Sequence, residues 1–167
     1  MFEVLVWDRK KQMTQIVNET SDNKSSIILS LKDYVNKTES FSGEYEEKEA
    51  NKLKGDMFEI LAYVFFKRFG DESRVALNDY EPVALSEDYG VDGIGINAAG
   101  TKVAVQVKYR HNPTDLITYE DMAKTYSAGR MRHKLDLLKH DSLYVFTSSK
   151  DVTSPCKNVF GSILRVI

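Results

Sequence analysis

The sequence contains one cysteine, Cys156, and three prolines in 167 residues. One thiol cannot make an intramolecular disulfide and argues against a cysteine-based zinc site, so a reducing, cytoplasmic compartment is expected. No apolar run approaches the roughly 20 residues that a membrane-spanning helix needs. The opening MFEVLVWDRK lacks the basic lead-in and small-residue cleavage site of a signal peptide. Neither sign of charge dominates: 23 Lys and Arg stand against 25 Asp and Glu, a net charge of −2 that does not by itself point to a nucleic-acid binder. Internal repeats and long low-complexity tracts are also missing. What remains is a chain long enough for one packed domain with a small appendage.

The charge is unevenly distributed. Residues 71–101 carry seven acids and one base, Arg74, whereas residues 102–140 carry eight Lys or Arg against four acids, together with all three histidines. An acid-rich stretch followed by a basic one suits a metal pocket beside a phosphate-binding surface. Ordinary local imbalance in a charged chain produces the same pattern.

Periodicity predicts a strand at residues 2–7, a loop at 18–26 and a short helix at 25–37. Residues 41–55 are charge-dense, either a linker or the first turns of the next helix. A soft boundary near Ser42 separates an N-terminal extension (1–42) from a main domain (43–167). The segment GDMFEILAYVFFKRFG (55–70) predicts a helix with Asp56 as N-cap and Gly70 just past its end. Phe58, Leu61, Ala62, Phe65 and Phe69 should face the core, with Glu59 beside them. Strand segments are expected at 74–77, 82–85 and 91–96, the last closing through the Asn97–Gly100 turn onto 101–109. Thr118 and Asp121 have capping-box spacing for a helix to about Ser127, which Gly129 would interrupt before a basic helical stretch ending near His140. A strand at 141–149, a helix from Ser154 and a short strand at 163–167 complete an α/β (α+β) chain with a mixed central sheet flanked by helices.

The segment VDGIGINAAGTKVAVQVK (91–108) holds the densest chemistry. Asp92 begins one strand; Gln106 and Lys108 leave the same face of the next, with Val103, Val105 and Val107 on the other. Phosphodiester hydrolysis needs charge neutralised at phosphorus and a water activated, and a divalent cation does both. Mg²⁺ or Mn²⁺ takes hard oxygen ligands. Asp92 would supply a carboxylate, Gln106 an amide oxygen and Val107 its carbonyl, while Glu59 would bind the ion or one of its waters. Lys108 would orient the attacking water or stabilise charge at phosphorus. Gly93 and Gly95 would leave room for close approach of a backbone, that of the protein or of a nucleic acid.

These residues, GDMFE, then GVDGIG, then VAVQVK, resemble the PD-(D/E)XK nuclease superfamily, and most closely its Mrr-like restriction endonuclease branch, in which Gln commonly replaces the middle acid. The resemblance covers about residues 55–149. It implies a restriction-endonuclease-like core, magnesium-dependent DNA cleavage, and catalytic roles for Asp92, Gln106 and Lys108, with Glu59 as the helix acid. The chain departs from the pattern in lacking a Pro-Asp dipeptide, Val91-Asp92-Gly93 standing in its place. The neutral Gln106 leaves the number of metal ions open. The resemblance does not extend to the first fifty or so residues.

Blander roles stand beside these. Asp92-Gly93 is also a turn dipeptide, Lys108 an edge-protecting lysine, Gln106 a solvent-facing amide and Glu59 a solvated helix acid. Arg110, Lys124, Arg130, Arg132 and Lys134 would grip a DNA backbone, or simply coat a helix. The functional expectation is a DNA endonuclease (restriction-type, junction-cleaving, homing-type, or the nuclease module of a larger protein), acting as a homodimer or higher homo-oligomer and without a membrane partner. The alternative is a catalytically inactive nuclease-like module used for DNA binding or assembly.

Overall fold

The computed structural model describes residues 47–83 and 89–167. The elements expected at 2–7, 18–26 and 25–37, the boundary near Ser42 and the end of the 82–85 strand lie outside the described residues. The chain forms two compact units, the first ending at Arg68 and the second running from Phe69 to Ile167.

In the first unit the described element is helix α1, Glu47–Phe69. Its early residues, EKEANKLK, are strong helix formers. They carry the helix straight through Gly55, so Asp56 is an interior residue and not the expected N-cap. Lys67 and Arg68 occupy the last turn, where cations suit the helix dipole, and Gly70 follows the end as expected. Ile60, Ala62, Val64 and Phe66 are buried, whereas Phe58, Leu61, Phe65 and Phe69 are half-buried. Apolar side chains at nearly every position from 57 to 66 spread burial around the helix and blur the single expected stripe.

The second unit is an α/β arrangement built on a mixed five-stranded sheet in the order β1-β2-β3-β4-β5. Its strands are β1 (Leu77–Pro82), β2 (Gly93–Asn97), β3 (Lys102–Lys108), β4 (Ser142–Thr147) and β5 (Leu164–Val166). Helix α2 (Tyr119–Met131) joins β3 to β4, and α3 (Ser154–Phe160) joins β4 to β5. The first three strands are antiparallel neighbours; β3, β4 and β5 run parallel. Between the segments expected at 74–77 and 82–85 the chain forms one strand, β1; residues 74–76 precede it outside the sheet, and its pairing shifts between Asn78 and Glu81 around Asp79 at φ 49°.

The β2–β3 turn forms as its sequence requires. The Asn97 side-chain oxygen accepts from the backbone N–H groups of Ala99 and Thr101 at 2.9 and 3.0 Å, and Gly100 takes φ 77°. Thr118 and Asp121 close the expected capping box of α2. The helix then passes through Gly129 without interruption, and that residue is buried, a Cβ there standing 3.5 Å from Ala104 Cβ of β3, an ordinary packing distance. From Arg132 onward the basic segment is not helical. Lys134 turns at φ 58°, and Leu135 and Leu137 insert at alternating spacing into the core. That core lies between α2, α3 and one sheet face, and includes Ala104, Met122, Leu143, Val145, Cys156 and Phe160. Among the described residues no helix is long and apolar enough to cross a membrane.

Candidate functional site

The register of β2 on β3 builds the site. Gly93 pairs with Val105 and Ile94 with Ala104, so one step further Asp92 stands opposite Gln106. At Asp92 the ladder changes hands. Its N–H donates to the Val105 carbonyl at 2.9 Å, and its own carbonyl accepts from Val83 at 2.9 Å. The carboxylate therefore turns onto β3, where Oδ2 accepts the Val107 N–H at 2.6 Å. Asp92-Gly93 is thus a strand entry rather than a turn.

Gln106 is buried and doubly held. Its Nε2 donates to Asp92 Oδ2 in a short contact and lies 3.3 Å from the Val107 carbonyl. Its Oε1 accepts from the Thr125 hydroxyl of α2 at 2.7 Å. The chemistry of the neighbours sets this orientation: a carboxylate and a carbonyl only accept, so the amide presents its N–H groups to them. The solvent-facing role for Gln106 is excluded by this burial.

Lys108 is not an edge residue, since β3 lies between β2 and β4. Its Nζ stands 3.4 Å from Asp121 Oδ1, with 36% of the side chain still exposed. Arg110, on the same side, donates to Asp121 Oδ2 at 2.5 Å. The Arg110 backbone is fixed as well: its N–H donates to Ser148 Oγ at 2.7 Å, and that hydroxyl donates back to the Arg110 carbonyl at 2.9 Å. Asp121 thus serves two purposes, capping α2 through Thr118 and holding two cations at the end of β3. Burial works against its ionisation and is the largest single influence. The Thr118 N–H, the Arg110 hydrogen bond and the charges of Arg110 and Lys108 together outweigh it and hold the carboxyl below its ordinary value.

In the sequence Asp121 stands out only as a cap, and Thr125 not at all. Their spacing of four residues was the available signal, because it sets both polar side chains on one helix face. Thr125 is completely buried beside Met122, so that face meets β3.

Glu59 stands half-buried on α1 in the first unit. Lys124 is exposed on α2. Arg130 lies over the Tyr126 ring, Arg132 lies 4.4 Å from the Tyr89 ring centroid, and Lys134 donates to the Met131 carbonyl at 2.9 Å. Arg130 follows Asp121 by about 13 Å of helix, at 1.5 Å per residue, and Arg132 and Lys134 lie past the helix end. The space at Gly93 and Gly95 is taken by the protein itself: a Cβ at Gly93 would collide with the Tyr80 ring, and one at Gly95 would sit 2.6 Å from Leu77 Cδ1. Burial raises the Cys156 thiol pKa, and the nearby Asp121 charge adds to the effect, leaving an inert core residue.

Among the described residues no group of three His, Cys, Asp or Glu side chains converges as a metal cluster. A hard cation here would draw on mixed oxygen donors instead, the Asp92 carboxylate and the Val107 carbonyl, both already converging on one amide nitrogen. Rotating that amide would add its oxygen to the set, so the donors fit Mg²⁺ or Mn²⁺. No protein-family model, curated protein or solved structure matches the chain.

Proposed function

We propose that the chain is a divalent-cation-dependent DNA endonuclease domain of the PD-(D/E)XK type, with a restriction-endonuclease-like core. The observation that carries this reading is the meeting of the Asp92 carboxylate and Val107 carbonyl at the Gln106 amide, two residues before Lys108. Asp92, Val107 and Gln106 would hold the cation, which supplies charge neutralisation at phosphorus and a more acidic bound water. Lys108, steadied by Asp121, places a positive charge beside the scissile phosphate. Arg110 draws the backbone toward the same end of β3, where ligands of open α/β sheets commonly bind. Lys124 and the 130–134 basic group extend the phosphate contacts, and a homodimer would cut both strands.

The test is cleavage of supercoiled plasmid, linear duplex and branched DNA with Mg²⁺ or Mn²⁺, comparing the unaltered protein with Lys108→Ala. Metal-dependent cutting that falls by on the order of 100-fold in the folded variant is expected. Equal cutting by both proteins would displace the site. A second reading, a DNA-binding or assembly module without catalysis, is favoured by the pairing of both Lys108 and Arg110 with Asp121. It predicts DNA binding without cleavage by either protein.

A further inference from the structure

The Gln106 amide faces two neighbours of different chemistry. On one side, Asp92 Oδ2 and the Val107 carbonyl accept hydrogen bonds only; on the other, the Thr125 hydroxyl donates at 2.7 Å and is equally able to accept. Gln106 is 9% exposed and Thr125 is 0% exposed, so water does not readily replace either partner. A cation bound by Asp92 and Val107 would face the positive N–H end of the amide as the side chain now lies. Turning the amide by half a rotation about its last side-chain bond puts Oε1 toward the cation and Nε2 toward Thr125. The hydroxyl then changes from donor to acceptor, and both ends of the amide keep a partner.

We propose that Thr125 is the positioning residue for this rotation: its two-way hydroxyl lets Gln106 donate to Asp92 without a cation and ligate the cation when one binds. This rests on the cation site proposed above. Valine at position 125 keeps the shape of threonine and removes the hydroxyl. It leaves the rotated NH₂ group without an acceptor, and an orphaned buried N–H is tolerated less well than an under-satisfied carbonyl. The cation-ligating orientation therefore suffers more than the other. Serine retains the hydroxyl and should retain the function.

The experiment measures Mn²⁺ binding to the full chain by electron paramagnetic resonance for the unaltered protein, Thr125→Val and Thr125→Ser, with circular dichroism checking the fold. The Gln106 side-chain amide is followed by ¹⁵N NMR during a Mg²⁺ titration. Expected are Mn²⁺ binding weakened about tenfold in Thr125→Val, at the low end for partners of a metal ligand, recovery in Thr125→Ser, and a Mg²⁺-dependent shift of the Gln106 amide signal. Unchanged affinity in folded Thr125→Val, or a serine variant as weak as the valine one, overturns the proposal while leaving the cation site standing. Absence of Mn²⁺ binding by the unaltered protein overturns both. Metal binding that follows the expected pattern without DNA cleavage supports the role of Thr125 and overturns the nuclease reading alone.

Discussion

Asp92 and Gln106 face each other one step beyond the last paired residues of β2 and β3, and the amide of one donates to the carboxylate of the other. The same carboxylate oxygen accepts the Val107 N–H at 2.6 Å. Asp92 therefore fastens the end of the hairpin as well as carrying the proposed chemistry. Asp92→Ala leaves two donors without that acceptor and should lower stability by about 1–3 kcal/mol, with loss of Mg²⁺-dependent cleavage. Urea unfolding beside a plasmid assay measures both effects. A variant as stable as the parent would show that the carboxylate does not hold the strand.

Lys108 and Asp121 separate chemistry from structure. The Lys108 side chain is partly exposed and its partner is a carboxylate at 3.4 Å. Lys108→Ala is expected to cost no more than about 1 kcal/mol of stability while removing most of the cleavage. Asp121→Ala loses the reciprocal cap and should destabilise by about 1–2 kcal/mol. Thermal melts of the two variants should rank in that order; because Asp121→Ala removes the ion pair as well as the cap, the reverse order would mean that Lys108 stabilises the fold through something other than Asp121.

Asp121 also predicts an acid-side pH dependence. Its carboxyl is held below the ordinary value of 3.8 in the folded chain and returns to it on unfolding. Above that value both states are ionised and the stabilisation is complete. As pH falls below it, the unfolded chain takes up the proton first and stability drops, until the folded carboxyl is protonated too. The difference in urea midpoint between the unaltered protein and Asp121→Asn should therefore be constant from about pH 5 to 7 and shrink below about pH 4. A difference that holds steady through the acid range would contradict the shifted carboxyl.

Gly93 is a packing requirement. A Cβ there meets the ring of Tyr80, itself buried on β1. Gly93→Ala should destabilise by about 1–3 kcal/mol through overpacking, and Tyr80→Leu in the same chain should recover part of the loss. Equal melting temperatures for the parent and Gly93→Ala would refute the close approach.

The basic residues predict a division of labour on DNA. Arg110 belongs with Lys108, whereas Arg130, Arg132 and Lys134 lie toward and beyond the other end of α2. Replacing these three by alanine should reduce the salt dependence of DNA affinity by up to about three phosphate contacts, and leave the rate of bound-substrate cleavage intact. Affinity measured across a salt series checks this, an unchanged slope placing the DNA elsewhere.

Much of the fold could be read locally. Asn97 and Gly100 specified the hairpin turn, Thr118 and Asp121 the start of α2, and alternating valines the buried strand β3, because each signal acts within a few residues. Of the two readings of the charge-dense 41–55 stretch, residues 47–55 take the helical one as the first turns of α1, and the cap-like Asp56 is outweighed by the helix-forming run before it. The basic stretch leaves the helix after Met131, against the helical expectation, because Leu135 and Leu137 are drawn into a core assembled by distant strands.

The sequence by itself determined the local placement of the candidate residues: an acid before one strand, and Gln106 and Lys108 two residues apart on the next. Period-two geometry places those two on one face whatever the rest of the fold does. Only the tertiary structure decided their neighbours. The β2–β3 register set Asp92 opposite Gln106, and α2 packing on β3 brought Asp121 to Lys108 and Thr125 to Gln106. Those contacts join residues 13 to 19 positions apart. At that separation local propensity carries no information, and burial of the α2 face against the sheet selects the partners.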